Sequence, residues 1–166
     1  CLENEVKGGF STLVDGFSVS EYLRKNHKDL FKILTKTKVR FRFVDKTIIL
    51  ENWGELIELD DNNKIKQVRY STRLDYVPAL EKKELEIFYE ARKLISDLYA
   101  SSKFEIKFRL EKGDLLMMDN HRLLHGRTSY DVSEGKRYLK GCYIDHDSTE
   151  GKLRYLERKF GLKWKK

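Results

Sequence analysis

Cysteine and proline are scarce in this sequence, and long apolar runs are missing from it. The 166 residues include two cysteines, Cys1 and Cys142, and one proline. Two cysteines do not make a disulfide framework, which favours a reducing, cytoplasmic location. No stretch approaches the roughly 18 apolar residues of a membrane span, and the start "CLENEVKGGF" is neither a signal peptide nor a methionine start. We therefore expect no membrane partner, and we expect the chain to be the downstream part of a longer polypeptide.

The charge balance is basic, but it is not organised into a patch. Lys and Arg number 34 against 27 Asp and Glu, giving a formal net charge of +7. A basic chain raises the question of nucleic acid. No basic stripe interleaved with aromatic residues is visible, so nucleic acid is not an expected partner. The terminal Lys163, Lys165 and Lys166 are interpreted as a solvated tail.

Apolar residues at helical spacing predict three helical regions. The first begins at Ser18 or Ser20 and has a break near Asn26; the second covers residues 81–100. The third covers residues 148–160 and begins with a serine or threonine cap. Since 40% of the residues are hydrophobic in a chain of this length, one packed domain is expected.

Strand patterns lie between these helices. Residues 38–44 alternate apolar and basic side chains, which is typical of a strand with one wet face, and Asp61-Asn62-Asn63 predicts a hairpin turn. Residues 104–110 are predicted to pair with 115–119 across a turn. Residues 136–144 are predicted to form a further strand, with Gly141 as a bulge or close-approach point. Strand pairs interrupted by one long helix suggest an antiparallel sandwich or barrel-like core with helices outside it.

Two side chains in the last third of the chain suggest a site. His125 is predicted just past a strand end, where a neutral imidazole could bind a divalent metal; the alternative is a hydrogen-bonded structural histidine. Arg137 is predicted on a following strand that runs back beside it as a hairpin. An inward-pointing arginine requires an anion, and its planar fork suits a carboxylate. The alternative for Arg137 is an ordinary surface arginine.

Three quoted stretches carry a family resemblance. They are "GGFSTLVDGFSVSEYLRKNHKDLFKIL", "DNHRLLHGRTSY" and "KRYLKGCYIDHD". Together they resemble the C-terminal part of the γ-butyrobetaine dioxygenases, within the Fe(II)- and 2-oxoglutarate-dependent dioxygenases that also include trimethyllysine and taurine dioxygenases. The resemblance is specific at both ends and poor between about residues 45 and 80. It implies a mainly β fold with flanking helices, part of a double-stranded β-helix or jelly roll.

The resemblance also implies roles for single residues. His125 matches the distal iron ligand, Arg137 the arginine that binds the outer carboxylate of 2-oxoglutarate, and Tyr143 a tyrosine of an aromatic cage for a trimethylammonium group. A quaternary ammonium offers no hydrogen-bond donor, so aromatic faces are the means of holding it. An ordinary half-buried strand tyrosine is the alternative for Tyr143. Implied cofactors are Fe(II), 2-oxoglutarate as co-substrate and ascorbate as a further candidate.

The implied activity is hydroxylation of γ-butyrobetaine to carnitine. The alternatives are a trimethyllysine dioxygenase, which implies a mitochondrial location, and a non-catalytic barrel that binds a small ligand. By resemblance, residues 1–166 are the C-terminal part of one catalytic domain, and the other two iron ligands, a His-x-Asp pair, precede Cys1. The fragment alone is therefore expected to be inactive, and the full-length form is a candidate homodimer.

Several polar residues are assigned no role in the iron site. His27-x-Asp29 lies in a helical pattern that points its two side chains apart. A structural zinc at His121 and His125 is not expected, and His146 is interpreted as part of a loop or helix cap. Ser71 and Thr72 stand where the family's pattern suggests asparagine.

Overall fold

Four α-helices and nine β-strands make up the part of the chain that the computed structural model describes, residues 1–162. The helices are α1 (Gly16–Asn26), α2 (Lys28–Lys36), α3 (Lys82–Tyr99) and α4 (His146–Phe160). The strands are β1 (Glu3–Asn4), β2 (Ser11–Asp15), β3 (Lys38–Val44), β4 (Ile49–Glu55), β5 (Ile57–Leu59), β6 (Ile65–Val68), β7 (Glu105–Phe108), β8 (Leu123–Arg127) and β9 (Arg137–Tyr138). The prediction of a β-rich chain with flanking helices is confirmed.

The first two helices begin and end where local chemistry requires it. Asp15 caps α1, because its carboxylate accepts hydrogen bonds from the backbone N–H groups of Phe17 and Ser18. The predicted serine cap is therefore wrong, since the aspartate that ends β2 performs this function. The predicted break is confirmed: His27 has non-helical backbone angles and separates α1 from α2.

The carboxylate of Asp15 also links the start of α1 to Arg122, in the turn before β8. Arg122 donates to it from Nε (3.0 Å) and from Nη2 (2.6 Å). These hydrogen bonds from Arg122 lower the pKa of Asp15, against the opposing effect of partial burial. In the unfolded chain this carboxyl takes up a proton at its ordinary pKa, which is higher than its pKa in the folded protein. The pair with Arg122 therefore stabilises the fold fully above the ordinary pKa, and this stabilisation is lost as the pH falls through the lower folded-state pKa.

We expect Asp15→Ala in the full-length protein to lower the free energy of unfolding by about 1–2 kcal/mol at neutral pH. Asp15→Asn keeps a capping oxygen but loses the charge, so it should lose less. Urea denaturation at neutral and acidic pH measures both. The difference between wild type and Asp15→Ala should shrink in acid, and a difference independent of pH would contradict the pairing of Asp15 with Arg122.

The hydrophobic core lies between the first three helices and the β5–β6 hairpin. Its largest fully buried side chains come from all of these elements and include Phe88, Leu23, Leu34, Leu56, Ile57 and Ile95. Phe88 and Ile95 lie on the buried stripe of α3, which confirms the helix predicted over 81–100. Val14 of β2 also belongs to this core. The core therefore covers one face of the sheet to which β2 belongs.

Two hairpins connect the helices. The predicted hairpin around Asp61-Asn62-Asn63 is confirmed as β5 and β6. The strand over residues 38–44 is confirmed as β3, and its antiparallel partner β4 was not predicted. The predicted pairing of residues 104–110 with 115–119 is wrong. Residues 115–119 form no strand, and β7 pairs with β2 instead.

The first fifteen residues contain β1 and β2, and β2 is the central strand of a three-stranded sheet. β2 pairs antiparallel with β7 on one edge and with β8 on the other. β1 pairs with β9, on the same edge that β8 occupies further along. Tyr130 bridges to Gly8 between the two pairings. β8 and β9 thus run in one direction along a single backbone segment, residues 1–15.

The end of the described chain departs from prediction. In the predicted strand 136–144 only β9 is paired, and Gly141 has open space around it, so no bulge forms there. The last helix begins at His146 with Asp145 as its N-cap, earlier than the predicted serine or threonine cap. Lys163, Lys165 and Lys166 lie outside the described residues. Within residues 1–162, no helix is both long enough and apolar enough to cross a bilayer.

Candidate active site

His125 lies within β8, so the prediction that it follows a strand end is wrong. Its backbone pairs with Leu13 of β2, and Leu13 in turn pairs with Ile106 of β7. Residues directly opposite each other in antiparallel strands share a face. Val14 and Leu124 point to the other face, where the helices cover them. His125 therefore projects from the face that the helices leave open.

This open face is accessible in the described part of the chain and carries both apolar and basic side chains. Ile106 is 60% exposed and His125 is exposed. No hydrogen bond or ion pair from another described residue engages the His125 imidazole. Both ring nitrogens are thus available to a metal ion or to a further layer of protein.

Arg137 packs against the junction between β1 and β2. Gly8 and Gly9 both have positive φ there, 76° and 62°. A Cβ on Gly9 would lie 3.1 Å from Nε of Arg137, and one on Gly8 would lie 2.6 Å from the carbonyl oxygen of Ser129. Glycine at both positions therefore leaves room for the arginine side chain and for the strand beside it.

The guanidinium of Arg137 has a buried donor with no partner. Its Nε is inaccessible to solvent and makes no hydrogen bond within the described residues. A buried N–H without an acceptor costs free energy, which an anion bound by the fork would recover. The Nε of Arg137 is therefore a donor that an acceptor outside the described residues could engage.

Tyr130 brings Arg137 to the end of the sheet that carries His125. The guanidinium carbon of Arg127 lies 4.5 Å from the centroid of the Tyr130 ring, and that of Arg137 lies 5.5 Å from the same centroid. Arg127 is two residues from His125 on β8 and so shares its face. Two guanidinium groups at one end of an open face create a positive potential that suits a dianion.

The predicted geometry between the two residues needs one correction. β8 and β9 do not form a hairpin with each other, because each pairs with the segment 1–15. His125 lies opposite Leu13, and Arg137 lies opposite Asn4. The two residues are therefore on one edge of a shared segment rather than on strands paired with each other.

Tyr143 lies outside the sheet. It belongs to an irregular segment before α4, and 83% of its surface is exposed. No aromatic ring of a described residue stacks on it. The half-buried strand tyrosine considered as its alternative is not observed.

The metal donors present on the open face cover only part of an iron site. A 2-His-1-carboxylate site needs three protein ligands, and His125 is one. Among residues 1–162, no grouping of three potential ligands includes His125. The donor type fits iron, and an iron site at His125 would need two further ligands from outside the described residues.

The mid-chain segment has a structural role. Ser71 accepts hydrogen bonds at its Oγ from the backbone N–H groups of Arg73 and Leu74. Its carbonyl oxygen accepts from Nη2 of Arg92, which also pairs with the largely buried carboxylate of Asp75. Ser71 thus closes a turn and anchors it to α3.

A second group of chemically capable side chains was missed from the sequence. Asp119, His121 and His146 bring one potential ligand atom each within 4.8 Å of the others. Asp119 and His121 belong to the turn before β8, and His146 opens α4. The signal that could have found them is that both histidines flank turns near aspartates.

Comparison with known proteins identifies relatives along nearly the whole chain. The sequence profile described as "Taurine catabolism dioxygenase TauD, TfdA family" matches residues 1–143. The chain is 34% identical to the γ-butyrobetaine dioxygenase of Homo sapiens over 164 residues, covering 96% of the chain and 42% of that relative. It is 31% identical to the enzyme of the same name from Pseudomonas sp. (strain AK-1) over 158 residues, covering 95% and 41%.

A relative with a different named substrate matches at similar identity. The trimethyllysine dioxygenase of Meyerozyma guilliermondii is 31% identical over 160 residues, covering 93% of the chain and 39% of the relative. The chain thus spans about two fifths of the length of the curated relatives it matches.

Proposed function

Because this chain belongs to the taurine catabolism dioxygenase TauD, TfdA family, we propose that the full-length protein is an Fe(II)- and 2-oxoglutarate-dependent dioxygenase. The observation that carries the proposal is the buried, unpartnered Nε of Arg137, on the same edge of segment 1–15 as His125. One residue supplies a metal donor, and the other supplies a site for a carboxylate.

Residues 1–166 form, in this proposal, the C-terminal part of one catalytic domain with a jelly-roll fold. The open face of the β7-β2-β8 sheet, with its exposed Ile106, supports this, because a sheet packs its apolar side chains against another layer. The missing layer would come from the rest of the domain. It would also bring the two remaining iron ligands to His125.

Each site residue then has one task. His125 provides one imidazole ligand to iron, and Arg137 holds the outer carboxylate of 2-oxoglutarate so that its other end faces the metal. Tyr130 packs on the guanidinium and limits its rotation. When bound, iron with 2-oxoglutarate would activate O2, which is the oxidant and the source of the oxygen atom added to the substrate; the protein positions the reactants and excludes water.

The proposed substrate is γ-butyrobetaine, with carnitine as the product. Two relatives that bear this substrate in their names, at 34% and 31% identity, support the choice. A trimethyllysine substrate is the second candidate, supported by the relative that is named for it. Both carry a trimethylammonium group, which Tyr143 would contact with its ring.

The experiment is an assay of both substrates on the full-length protein. We expect 2-oxoglutarate to be consumed with Fe(II) present, and faster with γ-butyrobetaine than with trimethyllysine. Faster turnover of trimethyllysine would select the second candidate. Binding of 2-oxoglutarate without turnover of any substrate would identify a non-catalytic ligand-binding domain.

Tyr143 gives a prediction that is specific to the substrate. Tyr143→Leu should raise the Michaelis constant for the trimethylammonium substrate by about 2- to 30-fold, the value of one lost cation–π contact, and leave that for 2-oxoglutarate unchanged. Steady-state kinetics measures both. Tyr143→Phe keeps the aromatic face and should behave like wild type. Equal kinetics for the leucine and phenylalanine variants would remove Tyr143 from the cage.

A further inference from the structure

The cluster formed by Asp119, His121 and His146 is separate from the proposed iron ligand. His125 is not among the three residues, and His146 lies beyond residues 1–143, the part that the family profile matches. The cluster joins two segments that are far apart in the chain, the turn before β8 and the first residue of α4. It therefore needs its own explanation.

The three side chains lie close together, and the two stacked rings have to turn for one nitrogen of each to face a common ion. The imidazole rings of His121 and His146 stack with their centroids 4.2 Å apart and their planes 15° apart. Oδ1 of Asp119 lies 3.4 Å from Nε2 of His146, and it accepts a hydrogen bond from the backbone N–H of His121 (2.9 Å). That hydrogen bond fixes the carboxylate next to both rings.

The charges around the cluster are compatible with a cation. Asp145 and Asp147 flank His146, and Asp145 makes no capping hydrogen bond with its side chain. These carboxylates oppose the partial positive charge at the N-terminus of α4. The nearest basic neighbour along the chain, Arg122, directs its guanidinium to Asp15.

We propose that Asp119, His121 and His146 bind a divalent transition-metal ion of the zinc type. Two imidazole nitrogens and one carboxylate oxygen are ligands that such ions prefer, and three protein ligands leave a coordination position for water. The proposal does not depend on the proposed dioxygenase activity.

The ion would fasten α4 to the rest of the molecule. No residue of α4 is buried in the described structure, so apolar packing holds it weakly. A metal bound to His146 and to the turn before β8 supplies the missing attachment. It also steadies the turn from which the strand carrying His125 begins.

The test counts Zn²⁺ bound by the metal-free full-length protein. All variants carry His125→Ala, which removes the proposed iron ligand from the count. We compare this background with His121→Gln/His146→Gln added, and with His27→Gln added as a matched control. His27 lies at the α1–α2 junction, away from the cluster. Equilibrium dialysis and elemental analysis give the equivalents bound, and circular dichroism checks that each variant is folded.

We expect the background and the His27→Gln control to bind one more equivalent of Zn²⁺ than the double variant does. Zn²⁺ should also raise the melting temperature of the first two proteins and not of the third. Asp119→Asn alone should weaken the affinity by at least about tenfold. An equal number of equivalents in background and double variant would overturn the proposal and leave a stacked histidine pair with an ion pair to Asp119.

Discussion

Replacing Arg137 with alanine in the full-length protein is expected to raise the Michaelis constant for 2-oxoglutarate by about 30-fold or more. Truncating one partner of a buried, charge-assisted pair costs about 2–5 kcal/mol, and each 1.4 kcal/mol is a factor of ten. The structural reason is the buried Nε without an acceptor among the described residues, which a bound carboxylate would satisfy. Initial rates over a range of 2-oxoglutarate concentrations measure the change.

Two control variants separate carboxylate binding from general effects. Arg137→Lys keeps the charge but not the planar fork, so it should recover only part of the affinity. Arg127→Ala removes the other guanidinium that lies over Tyr130. Since Arg127 is exposed, its loss should cost less than that of Arg137. An unchanged Michaelis constant in Arg137→Ala, or an equal loss in Arg127→Ala, would refute the assignment.

The second large effect is expected at His125. We expect His125→Ala in the full-length protein to weaken Fe(II) binding by at least about 100-fold, because partners outside the ligand shell already contribute 10- to 100-fold. Turnover should fall in parallel. Iron titration followed by elemental analysis measures the affinity, and consumption of 2-oxoglutarate measures the rate.

A matched histidine shows whether the loss is specific. His27→Ala removes an imidazole at the α1–α2 junction, outside the sheet that carries His125. Iron affinity should therefore stay at the wild-type value. If His125→Ala keeps its iron, the open face of the sheet is not the metal site. Binding of Zn²⁺ at the second cluster should persist in either variant, which keeps the two metal questions distinct.

Helices and strands with a clear hydrophobic period can be predicted from the sequence alone. Residues 38–44 and 81–100 have clear strand and helix periods, and both form as expected. The turn residues 111–114 and the apolar run after them predict a strand over 115–119 that does not form; Leu115 is 84% exposed and no partner strand lies beside it in the described residues. An apolar run without a partner does not make a strand, and the identity of the partner is not a local property.

In the candidate site, too, local patterns indicate which residues take part but not how they are arranged. The residue types and motifs indicated His125 and Arg137 from the sequence. The sequence predicts their arrangement wrongly, because strands that follow one another along the chain need not pair with each other. Both strands pair instead with residues near the start of the chain. The grouping of His146 with Asp119 also depends on two separate segments meeting, which periodicity does not specify even where turns near aspartates single out the residues.

The shared segment 1–15 fixes the spacing between His125 and Arg137. His125 is fixed opposite Leu13, and Arg137 is fixed opposite Asn4. The number of residues between these two positions sets the distance from the proposed metal ligand to the proposed carboxylate-binding arginine. Inserting one residue there would displace one group relative to the other, and would turn alternate side chains to the wrong face, without altering either functional residue.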